Sequence, residues 1–426
     1  AIDAGRIKAV LPESEARAAE AAQAAEAKTA DTAVPVRWFD FSRAYLAARW
    51  PGIAAKTREG IADSLATATL AMVEGGAGRP RDEELRGAMR WAVVPANREG
   101  EPPPALKAAY EWVATSSRPV RALSDPKVFE ELQYRLNFRL DGKPSAGDTA
   151  RRRRRALNTA LEYAVGAGIL EANPLQARKG HRATTDAVDP RILVNPVQGR
   201  NLLTAVSYVG SWHRGRGRRL VAFFAVMYHA ALRPAEAVGL RWSDCQLPPP
   251  PNKGENEQWG RLILRETRPV AGKQWTDSGQ RHDKRGLKAR EAHTDRPVPI
   301  PPVLVGILRA HVDEFGVAED GRLFTNERGG LVGSSTYYRV WQEARALALT
   351  PEQVASPLAE RPYALRSACI TRWLNAGVPP AEVARRAGNS IEVIQRRYHG
   401  LIDGHEEAAN RKIAEALERE GDGHPG

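Results

Sequence analysis

Cysteines and long apolar runs are scarce in this sequence, and each scarcity excludes a class of protein. The 426 residues include 2 cysteines, Cys245 and Cys369, too few for a disulfide framework and without the paired spacing of a zinc site. No apolar run approaches the ~20 residues that a membrane-spanning helix needs, and the N-terminus lacks the apolar core of a signal peptide. We therefore expect a cytoplasmic protein with reduced thiols, no membrane partner, no metal and no cofactor.

Acidic residues are outnumbered by basic ones. The chain has 63 Lys and Arg against 51 Asp and Glu, which gives a formal net charge of +12. Such an excess favours a polyanionic partner, because each phosphate that a cation neutralises releases condensed counterions. The charge indicates nucleic acid without separating DNA from RNA, or an enzyme from a coating protein.

Changes in composition divide the chain into four stretches. Residues 1–35 are rich in Ala and Glu with almost nothing large to bury, which indicates a helical or disordered arm. Residues 36–176 show aromatic and apolar residues at helical spacing and predict a helical domain. Residues 177–189 are polar and basic, as in a linker, and residues 190–426 predict a second domain that ends in a helix.

Periodicity and turn residues predict the individual elements. In the first domain we expect helices at about residues 38–50, 54–74, 82–93, 105–115, 126–136 and 148–168. In the second we expect helices at about residues 196–209, 217–231, 302–314, 334–347, 364–376, 379–386, 390–397 and 405–419. Strands at about 261–264 and 296–300 flank a long polar excursion. The predicted fold class is mainly α with a small β-sheet.

A run of arginines lies in the last predicted helix of the first domain: Arg151, Arg152, Arg153, Arg154 and Arg155. Apolar residues from Leu157 onward keep one face of this helix buried, so the basic turn is expected where the helix emerges. There it can contact the phosphate backbone of DNA. The alternative is a solvated basic helix end without a partner.

Two arginines and one tyrosine suit attack on a phosphodiester. Arg233 lies three residues before Glu236, Arg366 follows Leu365, and Tyr398 stands near the end of the chain. Guanidinium groups orient and neutralise phosphate oxygens through paired N–H donors, while a phenol oxygen can displace an ester oxygen. Each residue alone is ordinarily surface charge or packing, and only their combination indicates DNA strand exchange.

The residues around these three resemble the tyrosine recombinases, or phage-type integrases. Residues 190–426 resemble the catalytic domain of that family and residues 36–176 its helical core-binding domain. The first-arginine motif of the family is matched by Leu232, Arg233, Glu236, Leu240, Trp242 and Asp244. Its second-arginine motif, its small-domain turn and its nucleophile are matched by Leu365, Arg366, Asn375, Ala376, Gly377, Val378, Ala387, Gly388, Ser390 and Tyr398. Residues 361–363 and 401–404 resemble integrases of actinobacterial elements in particular.

The resemblance implies a two-domain clamp that integrates or excises a mobile element. It implies that Arg233 and Arg366 hold the non-bridging oxygens of the scissile phosphate. Tyr398 would attack to give a 3′-phosphotyrosine and a free 5′-hydroxyl, with no metal or cofactor. The implied partners are double-stranded DNA attachment sites, further copies of the chain in a homotetramer, and an accessory DNA-bending or directionality factor. The protein itself is then expected to associate with the nucleoid.

The family's proton donor for the leaving 5′-oxygen is a lysine between two strands. Lys288, ahead of the second predicted strand, is our choice for this role. Lys284 and Lys273 lie in the same polar excursion and stay open as alternatives, and any of the three could serve as a fixed charge on phosphate.

Three positions depart from the family pattern. Tyr363 and Asn389 stand where the family has histidines, and Ser367 follows the second arginine in place of a common histidine. A phenol is a poor base near neutral pH and an amide does not titrate there, so the group that removes the Tyr398 proton is unassigned. A sequence-specific DNA-binding relative with weakened catalysis therefore stays open. A type IB topoisomerase-like enzyme uses similar chemistry and is a third alternative, against which the predicted core-binding domain argues.

Overall fold

A computed structural model describes residues 35–176, 187–210, 215–252, 256–287 and 295–401, together with 410, 411, 413 and 414. The chain divides into two compact units, one up to residue 180 and the other from residue 181. The predicted arm up to residue 34, most of the predicted linker and most of the helix predicted at 405–419 lie outside the described residues. Across the described part of the chain, no helix is long and apolar enough to cross a membrane.

The described part of the first unit is helical, as predicted. Its α-helices are α1 (Trp38–Arg49), α2 (Ala55–Met72), α3 (Asp82–Ala92), α4 (Lys107–Ser116), α5 (Pro126–Asn137) and α6 (Gly147–Gly166). Helix α2 packs against α1, α3, α5 and α6, because its many Ala, Ser and Thr residues let neighbouring helices approach closely. The indole Nε1 of Trp38 donates a hydrogen bond to Thr69 Oγ1 at 2.9 Å, which fixes α1 against α2.

The second unit is helical with two small sheets. Its α-helices are α7 (Pro196–Tyr208), α8 (Gly215–Ala230), α9 (Pro234–Gly239), α10 (Pro302–Phe315), α11 (Ser334–Ala348), α12 (Pro351–Ala355), α13 (Tyr363–Asn375), α14 (Pro380–Ala387) and α15 (Ile391–Tyr398). Its strands are β1 (Cys245–Gln246), β2 (Gly260–Leu264), β3 (Glu266–Thr267), β4 (Arg285–Gly286) and β5 (Arg296–Ile300). The predicted class, mainly α with a small β-sheet, is confirmed over the described residues.

Short 3₁₀-helices punctuate both units. They span Trp50–Gly52, Pro95–Asn97, Pro104–Leu106, Val120–Ser124, Pro190–Ile192, Trp242–Asp244, Lys273–Trp275 and His399–Leu401. Several begin at a proline, whose fixed φ suits the first turn of a helix and whose missing N–H is not needed there.

The three-stranded sheet has the order β1-β2-β5 and is antiparallel, with Leu262 opposite Val298. Strands β3 and β4 pair separately. The two strands predicted from the sequence correspond to β2 and β5. Since alternate residues of a strand share a face, β5 directs Arg296, Val298 and Ile300 into the interior.

Helix α8 lies in the middle of the second unit, where it packs against α7, α10 and α13. It is apolar over most of its surface, and its Phe223 and Phe224 have no exposed area. The helix ends at Ala230, and the next residue, Ala231, has a φ of 53°, in the left-handed region. That conformation costs roughly 1–2 kcal/mol for a residue other than glycine, so the surrounding core has to impose it.

Candidate active site

Arg233 is the residue that caps the N-terminus of α9. Its main-chain N–H donates to Glu236 Oε2 at 2.8 Å, and its Nη1 donates to Glu236 Oε1 at 2.7 Å. Pro234 at the first helical position fits this arrangement, because its missing N–H would have no partner there. Glu236 therefore fixes both the main chain and the guanidinium of Arg233, whose side chain is 21% exposed.

Arg366 lies in the first turn of α13 and has no exposed surface. Its Nη1 donates to the carbonyl of Ala231, and its Nη2 donates to the carbonyl of Ala387 at 2.7 Å. The strained residue after α8 therefore supplies an acceptor to this buried guanidinium. Burial lowers the pKa of Arg366, and the neighbouring charge of Arg233 lowers it further.

Asn389 joins the two arginines. Its Oδ1 accepts from Arg233 Nη2 at 2.7 Å and from Arg366 Nη2 at 3.3 Å. A guanidinium only donates, so the amide oxygen has to face both groups. Arg233 Nη2 also donates to the carbonyl of Gly388 at 2.7 Å, and Gly388 ends α14 with a φ of 64°. The turn after α14 thus presents several acceptors to the two arginines.

A buried carboxylate balances this cluster. Glu236 is 2% exposed, and Arg296 donates to it through Nη1 at 2.9 Å and through Nη2 at 2.7 Å. Burial alone would raise the pKa of Glu236, but the positive charges of Arg296, Arg233 and Arg366 lower it to about 2. The carboxylate is therefore ionised at neutral pH.

The sequence interpretation missed Arg296. It was read only as the first residue of a strand, where charged side chains are ordinarily exposed. The available signal was its register, because Arg296 shares the inward face of β5 with Val298 and Ile300. A charged residue on an apolar strand face indicates a buried partner.

Tyr398 is the last residue of α15 and is 2% exposed. Burial raises the pKa of its phenol, and Tyr363 raises it further, while a hydrogen bond with Ser367 and the charges of Arg366 and Arg397 lower it. Tyr363 is 38% exposed, and its ring centroid lies 5.9 Å from the Arg366 guanidinium. The three predicted residues Arg366, Tyr363 and Tyr398 therefore lie together, with Ser367 as the side-chain partner of the phenol.

The predicted lysines are not part of this described cluster. Lys288 lies outside the described residues. Lys284 is exposed and forms an ion pair with Glu266 at 3.6 Å, beside the β3–β4 pair. Lys273 begins a 3₁₀-helix and is also exposed. The proton donor stays a prediction from the sequence.

The arginine run of α6 divides into two groups. Arg153 and Arg154 are half-buried within the first unit: Arg153 Nε lies 3.4 Å from Asp63 Oδ2, and Arg154 Nη1 donates to Gln133 Oε1 at 3.1 Å. These two side chains hold α6 against its neighbours. The other arginines of the run are exposed: Arg151, Arg152 and Arg155.

Metal-binding groups and thiols are the other candidates for chemistry among the described side chains. No group of three or more His, Cys, Asp or Glu residues suited to a metal ion occurs there. Both cysteines are free thiols, and burial raises the pKa of Cys245 to about 12 and that of Cys369 to about 11. Neither thiol is a nucleophile near neutral pH, because the thiolate is the reactive form.

The cluster has the charge that phosphoryl transfer requires. The guanidinium groups of Arg233, Arg296 and Arg366 carry three positive charges, and the Glu236 carboxylate carries one negative charge. These four groups together have two positive charges in excess. Attack of a phenolate on a phosphodiester monoanion gives a five-coordinate phosphorus that carries two negative charges. Preorganised donors in a water-poor site stabilise such charge more strongly than water does.

No family model and no curated protein matches this chain. Solved structures similar to it include the Tn1549 transposon integrase with circular intermediate DNA, at 16% identity over 78% of this chain and 99% of that chain, with a TM-score of 0.48. The XerH site-specific recombinase bound to difH substrate is 14% identical over 88% and 96%, with a TM-score of 0.49. A lambda integrase dimer bound to a core site is 12% identical over 83% and 94%, with a TM-score of 0.45. At these identities and TM-scores the likeness assigns no activity, so the chain's own side chains have to carry the functional conclusion.

Proposed function

We propose that this protein is a tyrosine-type site-specific recombinase that cuts and rejoins double-stranded DNA. The observation that carries the proposal is the meeting of Arg233 and Arg366 on the Asn389 oxygen, beside the phenol of Tyr398. Lone arginines and tyrosines are common, but two arginine donors aimed at one acceptor next to a buried phenol are suited to phosphodiester chemistry.

The first step is an exchange of acceptors. Asn389 Oδ1 and the carbonyls of Ala387 and Gly388 accept from N–H donors of the two arginines. A scissile phosphate offers two non-bridging oxygens to the same donors with a full negative charge, and charge-assisted hydrogen bonds are about twice as strong as neutral ones. The phosphate therefore displaces the Asn389 oxygen, and local movement exposes Arg366.

The second step is transfer of the phosphoryl group to Tyr398. The phenol oxygen forms a bond to phosphorus, the bond from phosphorus to the 5′-oxygen breaks, and the Tyr398 proton passes to solvent water. The 5′-oxygen leaves as a hydroxyl after it takes a proton, for which Lys288 is the proposed donor. The 3′-phosphotyrosine conserves the ester, so a second 5′-hydroxyl can reverse the reaction without an external energy source.

Cleavage can be tested with a nicked suicide substrate. The DNA flanking the gene supplies candidate attachment sites, and a nick near the cleavage point lets the short released strand diffuse away, which traps the adduct. We expect a covalent protein–DNA adduct with the wild-type chain and none with Tyr398→Phe. The matched control is Tyr208→Phe, an exposed tyrosine of α7 in the same unit, which should leave the adduct unchanged.

The wider role is a further part of the proposal. The excess of basic residues and the exposed arginines of α6 support binding of the DNA backbone by the first unit. Integration or excision of a mobile element by a homotetramer on two attachment sites would use the same reaction twice. Native mass spectrometry of the DNA complex should then give four copies of the chain for two duplexes, and a stable 1:1 complex would contradict this assembly.

A DNA-binding protein with weak catalysis is the second candidate. It is favoured by the burial of both Arg366 and Tyr398, which keeps the phosphate-binding group and the nucleophile from solvent. Sequence-specific binding without any adduct on suicide substrates would select this function. Relaxation of supercoiled plasmid without a preferred sequence would instead select the topoisomerase-like activity.

A further inference from the structure

Arg296 makes the most enclosed ion pair of the site. It is 1% exposed and its partner Glu236 is 2% exposed. The two nitrogens Nη1 and Nη2 of Arg296 donate to the two oxygens of Glu236 at 2.9 and 2.7 Å. A paired contact of this kind fixes the orientation of the carboxylate as well as its distance. With so little exposed surface, Arg296 has no direct path to DNA in this conformation.

The orientation of Glu236 matters because the same carboxylate holds Arg233. Oε1 accepts from Arg296 Nη1 and from Arg233 Nη1, and Oε2 accepts from Arg296 Nη2 and from the main-chain N–H of Arg233. Each carboxylate oxygen therefore connects Arg296 to Arg233. A rotation of Glu236 would move both anchors of Arg233 at once.

Arg296 also touches the turn on the other side of Arg233. A Cβ atom added to Gly388 would clash with Arg296 Nη1, so the backbone of this turn lies directly against the guanidinium. The carbonyl of Gly388 accepts from Arg233, and the next residue is Asn389. Arg296 thus supports the carboxylate beneath Arg233 and the acceptor turn beside it.

We propose that Arg296 is a positioning residue for phosphodiester cleavage, acting on Arg233 through Glu236 and the Gly388 turn. This inference rests on the proposed recombinase function. It differs from a purely structural role in one measurable way, because loss of Arg296 should slow cleavage only where Arg233 is present to be positioned.

A double-mutant cycle measures that dependence. The four proteins are the wild type, Arg296→Met, Arg233→Lys and the double variant, each assayed for adduct formation under single-turnover conditions with saturating DNA. We expect Arg296→Met to slow cleavage ~100-fold in the wild-type background, since small displacements of catalytic groups cost about that much, and less than ~3-fold in the Arg233→Lys background. The apparent Kd for DNA should change less than ~3-fold, because the proposed role of Arg296 runs through Glu236 and the Gly388 turn and includes no contact with DNA.

Arg345→Met is the matched control. Arg345 is another buried arginine of the second unit, at 3% exposed, and its Nε and Nη2 donate to the carbonyl of Leu358 at 3.1 and 2.8 Å. Its other described hydrogen bonds go to Gln342, Val354 and Ser356, which are not residues of the site. We expect Arg345→Met to lower the thermal midpoint. The cleavage rate of the folded protein should stay unchanged by this substitution in both the wild-type and the Arg233→Lys backgrounds.

Arg296→Lys covers the case in which Arg296→Met does not fold. Lysine keeps the charge but cannot make the paired contact, so we expect a folded protein with an intermediate cleavage rate and the same dependence on Arg233. Equal losses from Arg296→Met, or from Arg296→Lys, in both Arg233 backgrounds would overturn the positioning role while the recombinase function stands. Absence of an adduct with the wild-type chain would instead overturn the recombinase function, and the positioning role with it.

Discussion

Each unit contains a cluster of arginines around one carboxylate, and the two clusters differ in how deeply that carboxylate is buried. In the first unit, Asp63 pairs with Arg86 at 2.7 Å, Arg90 at 3.1 Å and Arg153 at 3.4 Å, and its side chain is 29% exposed. Salt and water compete for such partly exposed pairs more than for fully buried ones. The cluster joins three helices of the unit, and the neighbouring Arg151, Arg152 and Arg155 are exposed.

In the second unit, Glu236 is the counterpart of Asp63 but is 2% exposed. Arg296 and Arg233 bind it directly, and the charge of Arg366 also lowers its pKa. A low local dielectric strengthens every interaction of these groups and makes an unpaired charge costly. The number of arginines is similar in the two clusters, so the enclosure and the shared acceptors distinguish the second, where the proposed reaction would take place.

Removal of Arg366 should have the largest effect. Arg366→Ala removes the guanidinium donor from the carbonyls of Ala231 and Ala387, and in the proposed mechanism it removes a phosphate ligand. We expect the single-turnover cleavage rate to fall about 10³-fold, at the upper end for loss of one charge-stabilising donor. Quantified adducts from a suicide substrate measure this rate.

Arg372→Ala provides the comparison on the same helix. Arg372 donates to the carbonyl of Tyr228 at 2.9 Å and stacks on its ring, outside the site. Arg372→Ala should lower the free energy of unfolding and leave the cleavage rate of the folded protein unchanged. If both variants lost cleavage equally, the distinction between the site and its surroundings would be wrong.

An added carboxylate at Asn389 should compete with the phosphate. In Asn389→Asp the two arginines gain a charged acceptor in place of the amide oxygen, so the DNA-free protein becomes more stable while the phosphate is excluded. We expect cleavage to fall about 10²-fold, close to the loss of one charge-stabilising contact, and the thermal midpoint to rise. Asn375→Asp, at the exposed end of α13, adds the same charge outside the site. It should change neither the cleavage rate nor the thermal midpoint strongly. A cleavage rate for Asn389→Asp equal to that of the wild type would remove the acceptor-exchange step.

The exposed arginines of α6 should affect binding and not chemistry. Replacing Arg151, Arg152 and Arg155 together by Ala should weaken DNA binding and reduce the slope of log K against log salt by about 2–3, since each phosphate contact contributes roughly 0.9. The matched variant with three lysines keeps the charge and should keep the slope. Fluorescence anisotropy over a salt series provides the measurement, and an unchanged slope in the Ala variant would assign DNA binding elsewhere.

The smallest effect should be on the free energy of unfolding at acid pH. It should distinguish a buried carboxylate from a partly exposed one. The pKa of Glu236 is about 2 when folded, below its ordinary value of 4.5, so its stabilisation is present above pH 4.5 and is lost as the pH falls toward 2. Glu236→Gln lacks this contribution, and its free energy of unfolding should fall less steeply in that window. Urea titrations at a series of pH values measure the difference.

Glu382 provides the comparison with a partly exposed carboxylate. Its hydrogen bonds from Arg385 and Arg386 lower its pKa, also to about 2, although it lies at the surface of α14. Salt should remove most of the Glu382 contribution and leave that of Glu236, because screening acts mainly on exposed pairs. Equal salt sensitivity of Glu236→Gln and Glu382→Gln would contradict the enclosure of the Glu236 cluster.

The helices were largely predictable from the sequence, because apolar spacing and flanking prolines give strong local signals. The bounds predicted for α2, at about 54–74, agree with Ala55–Met72 within two residues. Helices α9 and α12 were missed because they span 6 and 5 residues, too few to show a period. The strands β1, β3 and β4 were missed for the same reason.

The site was less predictable than the fold. Arg233, Arg366 and Tyr398 were identified by their motifs, and the structure brings them together. Ser367 was recorded only as a departure from the family pattern, since no local signal connects it with a phenol 31 positions later. The position of Arg296 against Glu236 depends on the pairing of β5 with β2, which a single sequence does not provide.

The most direct test of the central claim is the chemical identity of the trapped adduct. The suicide-substrate product is digested with protease and nuclease, and mass spectrometry locates the residue and the nucleotide end that are linked. Our account predicts a nucleotide joined through its 3′-phosphate to Tyr398, with a free 5′-hydroxyl on the released strand. A linkage to another residue, a 5′-phosphotyrosine, or tight specific binding with no adduct would contradict it.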